Sequence, residues 1–522
     1  MLPGRYSLGR WPADKRRPYI QLHEPALTRD FLTHPAMNAP MSKFRIVIVG
    51  AGPAGLTAAA YLVERGHQVT VLERDPQYVG GISRTVERGG FRFDIGGHRF
   101  FSKSEEVTAW WKGRLPHDLI EVRRLSRIYY RGKFVDYPLK PLNALQGLGL
   151  LTSLACLASY ARARLLPAKT ETSFADWVSN RFGRRLFEIF FRSYTEKVWG
   201  IPCEEISADW AAQRIKGLSL PSAVLHALGF GRRVGPAAVK TLIDTFQYPR
   251  LGPGMMWEKT RDDIVRAGGR VIMDQRVTGL TAEGGRVVAA QSVDSDGTMH
   301  RWEVDHFILS MPLQETVAAF SPGLECDVSA AAARLRYRDF LTVALVVEGP
   351  NPFPDNWIYV HDPSVRLGRI QNYRNWSSAL VPGQNRTCLG LEYFCFKGDD
   401  LWRREDGELI ELAKRELTKL GFVRDVSVSG GYVVRMEKAY PVYYPGFADD
   451  VARIRRALAR FINLQVVGRN GMHKYNNQDH SMMTALLAAR NVEGAAFDVW
   501  KVNSDAEYHE ETKPGESRAD RR

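Results

Sequence analysis

Residues 44–75 read FRIVIVGAGPAGLTAAAYLVERGHQVTVLERD, and few segments restrict a fold so tightly. Ile46, Val47, Ile48 and Val49 form an unbroken apolar run, as expected of a parallel strand buried on both faces. Gly50, Gly52 and Gly55 follow at once in GxGxxG spacing. Pro53 and Ala54 open a helix that ends at Gly66, a natural C-cap. QVTVLERD makes a second strand with Glu73 and Arg74 at its end. Each glycine has a mechanical reason. Gly50 permits the tight turn, Gly52 lets backbone approach a pyrophosphate, and Gly55 lets the helix pack on the strand. The helix start offers free N–H groups and a positive dipole end to the phosphates, and Glu73 suits the ribose hydroxyls. A lone GxGxxG is a weak signal. Between strand and helix, with an acid roughly twenty residues on, it marks a dinucleotide site.

A chain of 522 residues, 44% of them hydrophobic, can bury more than the one domain this unit needs. Its formal charge of +14 favours anionic partners, whether phosphorylated substrates or acidic membrane surfaces. No Arg-rich run alternates with aromatics, so no nucleic-acid partner is expected. Five scattered cysteines without CxxC pairing argue against a disulfide framework and a metal site, and suit a reducing cytoplasm. Residues 1–40 are rich in Pro and Arg, without the apolar run of a secretory signal, and read either as a disordered leader or as a mis-assigned start with the true one at Met41. Residues 509–522 read as a frayed tail. Between Pro141 and Ala161 leucines recur at every third position, and Arg162 and Arg164 follow. That segment reads as a one-faced helix, with peripheral membrane contact or a span as its alternatives.

Gly80 to Lys103, GGISRTVERGGFRFDIGGHRFFSK, carries paired glycines at 80–81, 89–90 and 96–97, which mean backbone at close quarters. With the front unit, this segment resembles the flavoprotein superfamily of amine oxidases, protoporphyrinogen oxidase, phytoene desaturase and UDP-galactopyranose mutase. The resemblance implies FAD held without a covalent link. It places Gly80, Gly81 and Arg84 along the cofactor, and Gly96, Gly97 and His98 beside the flavin ring. It also implies that RVIMDQRVTGL returns to the cofactor domain, with Val277 on the adenine side, and that WEVDHFILSMPL is a further strand there. No second complete GxGxxG unit is present, so NAD(P)H is expected only as an external reductant.

The middle of the chain holds amphipathic helices from Thr172 onward and alternating runs, FLTVALVVEG and TCLGLEYFCF, that read as antiparallel strands. YTEKVWG combines Tyr194, Lys197 and Trp199, an aromatic pair with a cation that could hold a base or sugar and a phosphate. It is similar to a YTxKxWG motif of UDP-galactopyranose mutase. GRIQNYRNWS, with Arg369 and Arg374, is a candidate pocket wall. The expected fold is α/β. A Rossmann-like FAD-binding domain with a parallel sheet takes residues 44–105, 236–312 and 436–500. An inserted, discontinuous substrate domain of helices and antiparallel sheet takes 106–235 and 313–435.

VVGRNGMHKYNNQDHSMMTALLAAR, residues 466–490, crowds polar side chains where a helix begins. A helix start at the flavin would stabilise negative charge on its reduced form. Gly468, Arg469, Asp479, His480 and Ser481 are therefore expected at FAD, with Met472, His473, Tyr475 and Asn477 facing the substrate. The segment is similar to the GRxxxYxY motif of the mutase, with His473 and Asn477 replacing an aromatic and an acid of that pattern. The catalytic candidates are His98, His473 and Tyr475. The expected activity is an FAD-dependent oxidoreductase acting by hydride transfer on a small, nucleotide-linked or lipid-linked substrate. The alternative is a mutase-type sugar isomerase without net redox change.

Overall fold

The computed structural model describes residues 43–137, 149–167, 170–208, 245–424 and 427–503. Five parallel strands lie in the order Leu464–Val466, His306–Leu309, Arg45–Val49, Gln68–Leu72 and Arg270–Ile272. Their alternation explains the continuous apolar runs. Ile46 and Ile48 join the core beneath helices Pro53–Val63, Gly254–Arg266 and Gln478–Val492. Val47 and Val49 point the other way, into a core with helices Leu313–Ala318, Cys326–Arg334 and Phe447–Leu458. A strand covered on both faces has no side on which to place polar residues.

RVIMDQRVTGL is not one strand. Arg270–Ile272 completes the parallel sheet, while Arg276–Glu283 belongs to a three-stranded antiparallel sheet with Arg286–Val293 and Met299–Trp302. Asp274 breaks the run at φ +57°, a left-handed conformation that an Asp tolerates better than most residues.

A seven-stranded sheet runs in the order Val428–Pro441, Tyr337–Glu348, Arg386–Cys395, Arg369–Asn372, Trp357–Val360, Ser126–Tyr130 and Lys133–Asp136. All its pairings are antiparallel except Trp357–Val360 with Ser126–Tyr130. Tyr337–Glu348 is covered on both faces: Phe340, Ala344 and Val346 on one, Leu341, Val343, Leu345 and Val347 on the other. Helix Phe174–Phe182 opens with a capping box, Ser173 Oγ accepting from Asp176 N–H and the Asp176 carboxylate accepting from Ser173 N–H. Gly183 ends it, and a short π-helical stretch, Phe187–Arg192, leads into Ser193–Trp199. Among the described residues no helix is long and apolar enough to cross a membrane.

Candidate functional site

The turn after the first strand behaves as its glycines require. Gly50 sits at φ +96° and its N–H donates to Leu72 O at 2.7 Å. A Cβ on Gly55 would overlap Gly50 O and press on Ile48. A Cβ on Gly52 would meet nothing within 4 Å, because Gly52 opens onto a cleft. Helix Pro53–Val63 starts there with Pro at its first turn, no side-chain cap and no acid in that turn, so its amide end is left for a ligand. Glu73 is fixed beside it: one carboxylate oxygen accepts from Ala51 N–H at 2.6 Å and the other from Asp75 N–H at 2.9 Å. Burial pushes the Glu73 carboxyl up, and those two backbone bonds pull it back. Leu72, Arg74, Gln275, Arg276 and Val277 complete this end.

The cleft, about 310 Å³, continues past Gly81–Ser83 to Gly96–Arg99 and the segments around Gly468 and Tyr475. Gly468, at φ +82°, lies against Ala54 and gives its N–H to Thr484 Oγ1 at 3.0 Å. This closes the last strand onto the first helix. Asn477, Gln478, Asp479 and Ser481 line the cleft at the start of helix Gln478–Val492. His480 stands off the wall and completes a capping box by accepting from Asn477 N–H at 3.3 Å. Arg84 is also off the wall, paired with Asp75 and lying over Tyr78. The residues fit an extended dinucleotide. The open Gly52 backbone, the uncapped helix start and the fixed Glu73 carboxylate follow one another along one groove.

His98 is on the wall but is not a ready base. Its Nε2 lies 2.8 Å from Ile95 O, which can only accept, so Nε2 carries the proton. Its Nδ1 lies 3.4 Å from Ser83 Oγ. Burial pushes the imidazole down to about 4, with Arg469 and Arg369 adding to the effect, and it is neutral near pH 7.

At the far end Arg469 is held by Asn476 O at 2.9 Å and Ala439 O at 3.1 Å. Its guanidinium lies 4.6 Å from the Tyr475 ring centre and 5.4 Å from that of Tyr440, and these two rings stack 5.6 Å apart. No carboxylate pairs with Arg469 among the described residues. Arg369 differs, because buried Glu392 neutralises it and also accepts from Gln371 Nε2 at 2.9 Å. Lys438 pairs with Glu315 on the same wall.

Six residues expected at the substrate stand elsewhere. The Lys197 ammonium donates to the carbonyls of Asp362 at 2.6 Å, Leu367 at 3.1 Å and Val360 at 3.3 Å, and burial pushes it down to about 8. Tyr194 stacks on His361 at 4.8 Å, off the cleft wall. Trp199 is buried behind Tyr440 and Tyr475. Arg374 donates to the carbonyls of Gly383, Gln384 and Arg386 at the surface. His473 is buried off the cleft at φ +45°, edge-on to Tyr337, its Nε2 3.4 Å from Val442 O. Met472 lies in the core under the parallel sheet. Sequence reading missed Glu392, Glu315, Lys438, Tyr440 and Gln275 as site residues. Glu315 sits in a short helix, Gln275 in a loop and Lys438 and Tyr440 in a strand, while Glu392 acts on the cleft only through the strand register that pairs it with Arg369.

A model of the flavin containing amine oxidoreductases matches residues 53–439, well over half of the chain. The chain belongs to that family. A multifunctional alkene reductase/demethylase of Caballeronia cordobensis is 46% identical over 75 residues, 14% of this chain and 11% of that protein. A carotenoid 3,4-desaturase of Haloarcula japonica is 37% identical over 93 residues, 17% of this chain and 18% of that protein. The matches thus span under a fifth of these curated relatives. A crystal structure of reduced UDP-galactopyranose mutase has a TM-score of 0.77 and 22% identity, covering 89% of this chain and 96% of that one. At that identity the likeness concerns the fold alone: an α/β architecture with a parallel sheet beside a mixed one.

Proposed function

We propose that the protein is an FAD-dependent oxidoreductase that acts on an anionic substrate held against Arg469, Tyr475 and Tyr440. The observation that carries this reading is the uncompensated guanidinium of Arg469 beside a stacked tyrosine pair, in the cleft that begins at Gly52 and Glu73. The chain would hold FAD without a covalent link. Gly50, Gly52 and the amides of Pro53–Val63 would face the pyrophosphate, Glu73 a ribose, Val277 the adenine side, and Gly97, Gly468, Asp479 and Ser481 the flavin end. Bound FAD supplies hydride exchange with a substrate carbon. The protein positions that carbon and excludes water. Arg469 fixes an anionic group, and Tyr440 and Tyr475 give it an apolar face with hydroxyls at the edge. His98, with both ring nitrogens engaged, fixes the Gly96–Gly97 strip and Ser83.

A second reading rests on the same guanidinium, since a diphosphate fits it as well as a carboxylate. That reading is a mutase-type isomerisation of a nucleotide sugar. One pair of measurements separates the two. Anaerobic addition of a carboxylate- or phosphate-bearing substrate should bleach the flavin absorbance if the protein is an oxidoreductase. Dithionite-reduced protein that converts UDP-galactofuranose to UDP-galactopyranose, with no net flavin change, would replace the redox reading by the isomerase.

A further inference from the structure

Helix Leu150–Leu165 places its side chains against the usual rule. Ser153 and Cys156 are buried, Ser153 Oγ donating to Gly149 O at 2.8 Å. Ser159 Oγ accepts from Arg185 N–H at 3.1 Å. Facing out are Leu151, 85% exposed, and Leu165, 80% exposed, with Leu154 and Leu157 between them and Leu166 just after. Five of the thirteen exposed large hydrophobic side chains among the described residues stand on this one segment. Leu151, Leu154, Ala158, Ala161 and Leu165 fall at alternating three- and four-residue steps, a single stripe along the helix. An ordinary surface helix turns such a stripe inward.

The helix is nevertheless seated. Cys156 packs with Ile128, Val135, Ile189 and Phe190, at the edge of the seven-stranded sheet. Gly183 lies so close that a Cβ there would come within 2.7 Å of Tyr160 N. The outward stripe is therefore the face left after docking. Its borders are basic. The helix carries no acid, Arg162 and Arg164 stand in its last turn, and Arg185 lies on the adjoining turn. None of these three has a carboxylate partner among the described residues, whereas Arg184 beside them pairs with Glu188.

We propose that this face docks on an anionic lipid surface and lies in the interface plane. An apolar stripe bordered by unpaired cations matches acyl chains bordered by anionic headgroups. A helix of 16 residues is too short for the roughly 20 that a span needs. A second copy of the chain fits less well, because the stripe covers only about two heptads, short of the three or four that sustain a coiled coil. This inference goes beyond the redox reading and does not depend on it.

The test is flotation of the full-length, FAD-loaded protein with phosphatidylcholine vesicles, with and without phosphatidylglycerol. The protein should float with the anionic vesicles and far less with the neutral ones. Leu151→Glu/Leu154→Glu/Leu165→Glu should lower partitioning at least about tenfold. Arg162→Glu/Arg164→Glu should lower it about tenfold at low salt and less at high salt. Flavin content and circular dichroism should stay unchanged in both. A protein that stays with the soluble fraction, or one whose binding survives both variants, would overturn the proposal. A dimer that the leucine variant splits would assign the face to a second copy. A leucine variant with lowered thermal midpoint and unchanged lipid binding would assign it to another part of this chain.

Discussion

Lys197 shows how a side chain's neighbours decide its work. In sequence it stands between Tyr194 and Trp199 as a ligand cation would. In the structure three backbone carbonyls take its three protons. Lys197→Met should therefore destabilise the protein by about 1–3 kcal/mol, the cost of leaving buried acceptors unpaired, and leave KM unchanged. A rise in KM with unchanged stability would return Lys197 to the substrate. His473 gives a second prediction at this scale. Burial holds its imidazole near 4 in the folded protein, against a weak opposing bond to Val442 O. Below pH 6.5 the unfolded chain takes up a proton that the folded one refuses until about pH 4. Stability from this group is complete above pH 6.5 and falls as pH drops. The advantage of wild type over His473→Gln in urea unfolding should shrink by about 2 kcal/mol from pH 8 to pH 5. Asp94, raised to about 7 by burial against the opposing bonds from Tyr248 and Thr85, works in the opposite direction. The difference between the two proteins, not either curve alone, is the measure.

At the scale of elements, the strand–turn–helix at residues 45–63 sets the direction of the whole cleft. Gly50 and Gly55 serve the turn and the packing, and a side chain at either would collide. Gly52 differs, since its φ of −79° suits any L-residue and its Cβ would enter open space. Gly52→Val should leave the thermal midpoint of the flavin-free protein unchanged and abolish FAD retention, read as flavin absorbance per protein after gel filtration. Equal loss of both would mean that Gly52 serves only the turn. The helix at Leu150–Leu165 makes the converse point. Its leucine spacing announced one apolar face, but spacing alone is silent on whether that face turns inward. Ser153, buried on the inner side, and Cys156, packed with Ile128 and Phe190, decided it.

At the scale of the molecule, distant stretches of chain meet on one cleft: Gly52 from the front, Val277 from the middle, and Arg469 from the end. A ligand held by all three should stabilise them together. FAD at about 100 times its Kd should raise the unfolding free energy by about 2.7 kcal/mol in one cooperative transition. Two separated transitions, only one of them moved by FAD, would show that the segments unfold independently. The Gly52–Glu73 end of the cleft was legible in sequence because its geometry is local. Turn, helix start and acid lie within about thirty residues, and their spacing is fixed by backbone geometry. The parallel sheet was legible because both-sided burial leaves unbroken apolar runs. The substrate end was not. Arg469 and Arg369 both follow a glycine and precede a tyrosine by a few residues in sequence, and only the strand register that puts Glu392 opposite Arg369 neutralises one and leaves the other charged. His473 and Tyr475 stand two residues apart, yet a left-handed backbone at His473 turns its ring into the core while Tyr475 stays on the cleft. Sequence by itself determined the glycine turn, the helix start and the sheet they stand on, because those rest on neighbours along the chain. Tertiary structure alone decided which charges survive unpaired and which apolar face meets the surroundings, because charge and exposure are set by whatever packs alongside.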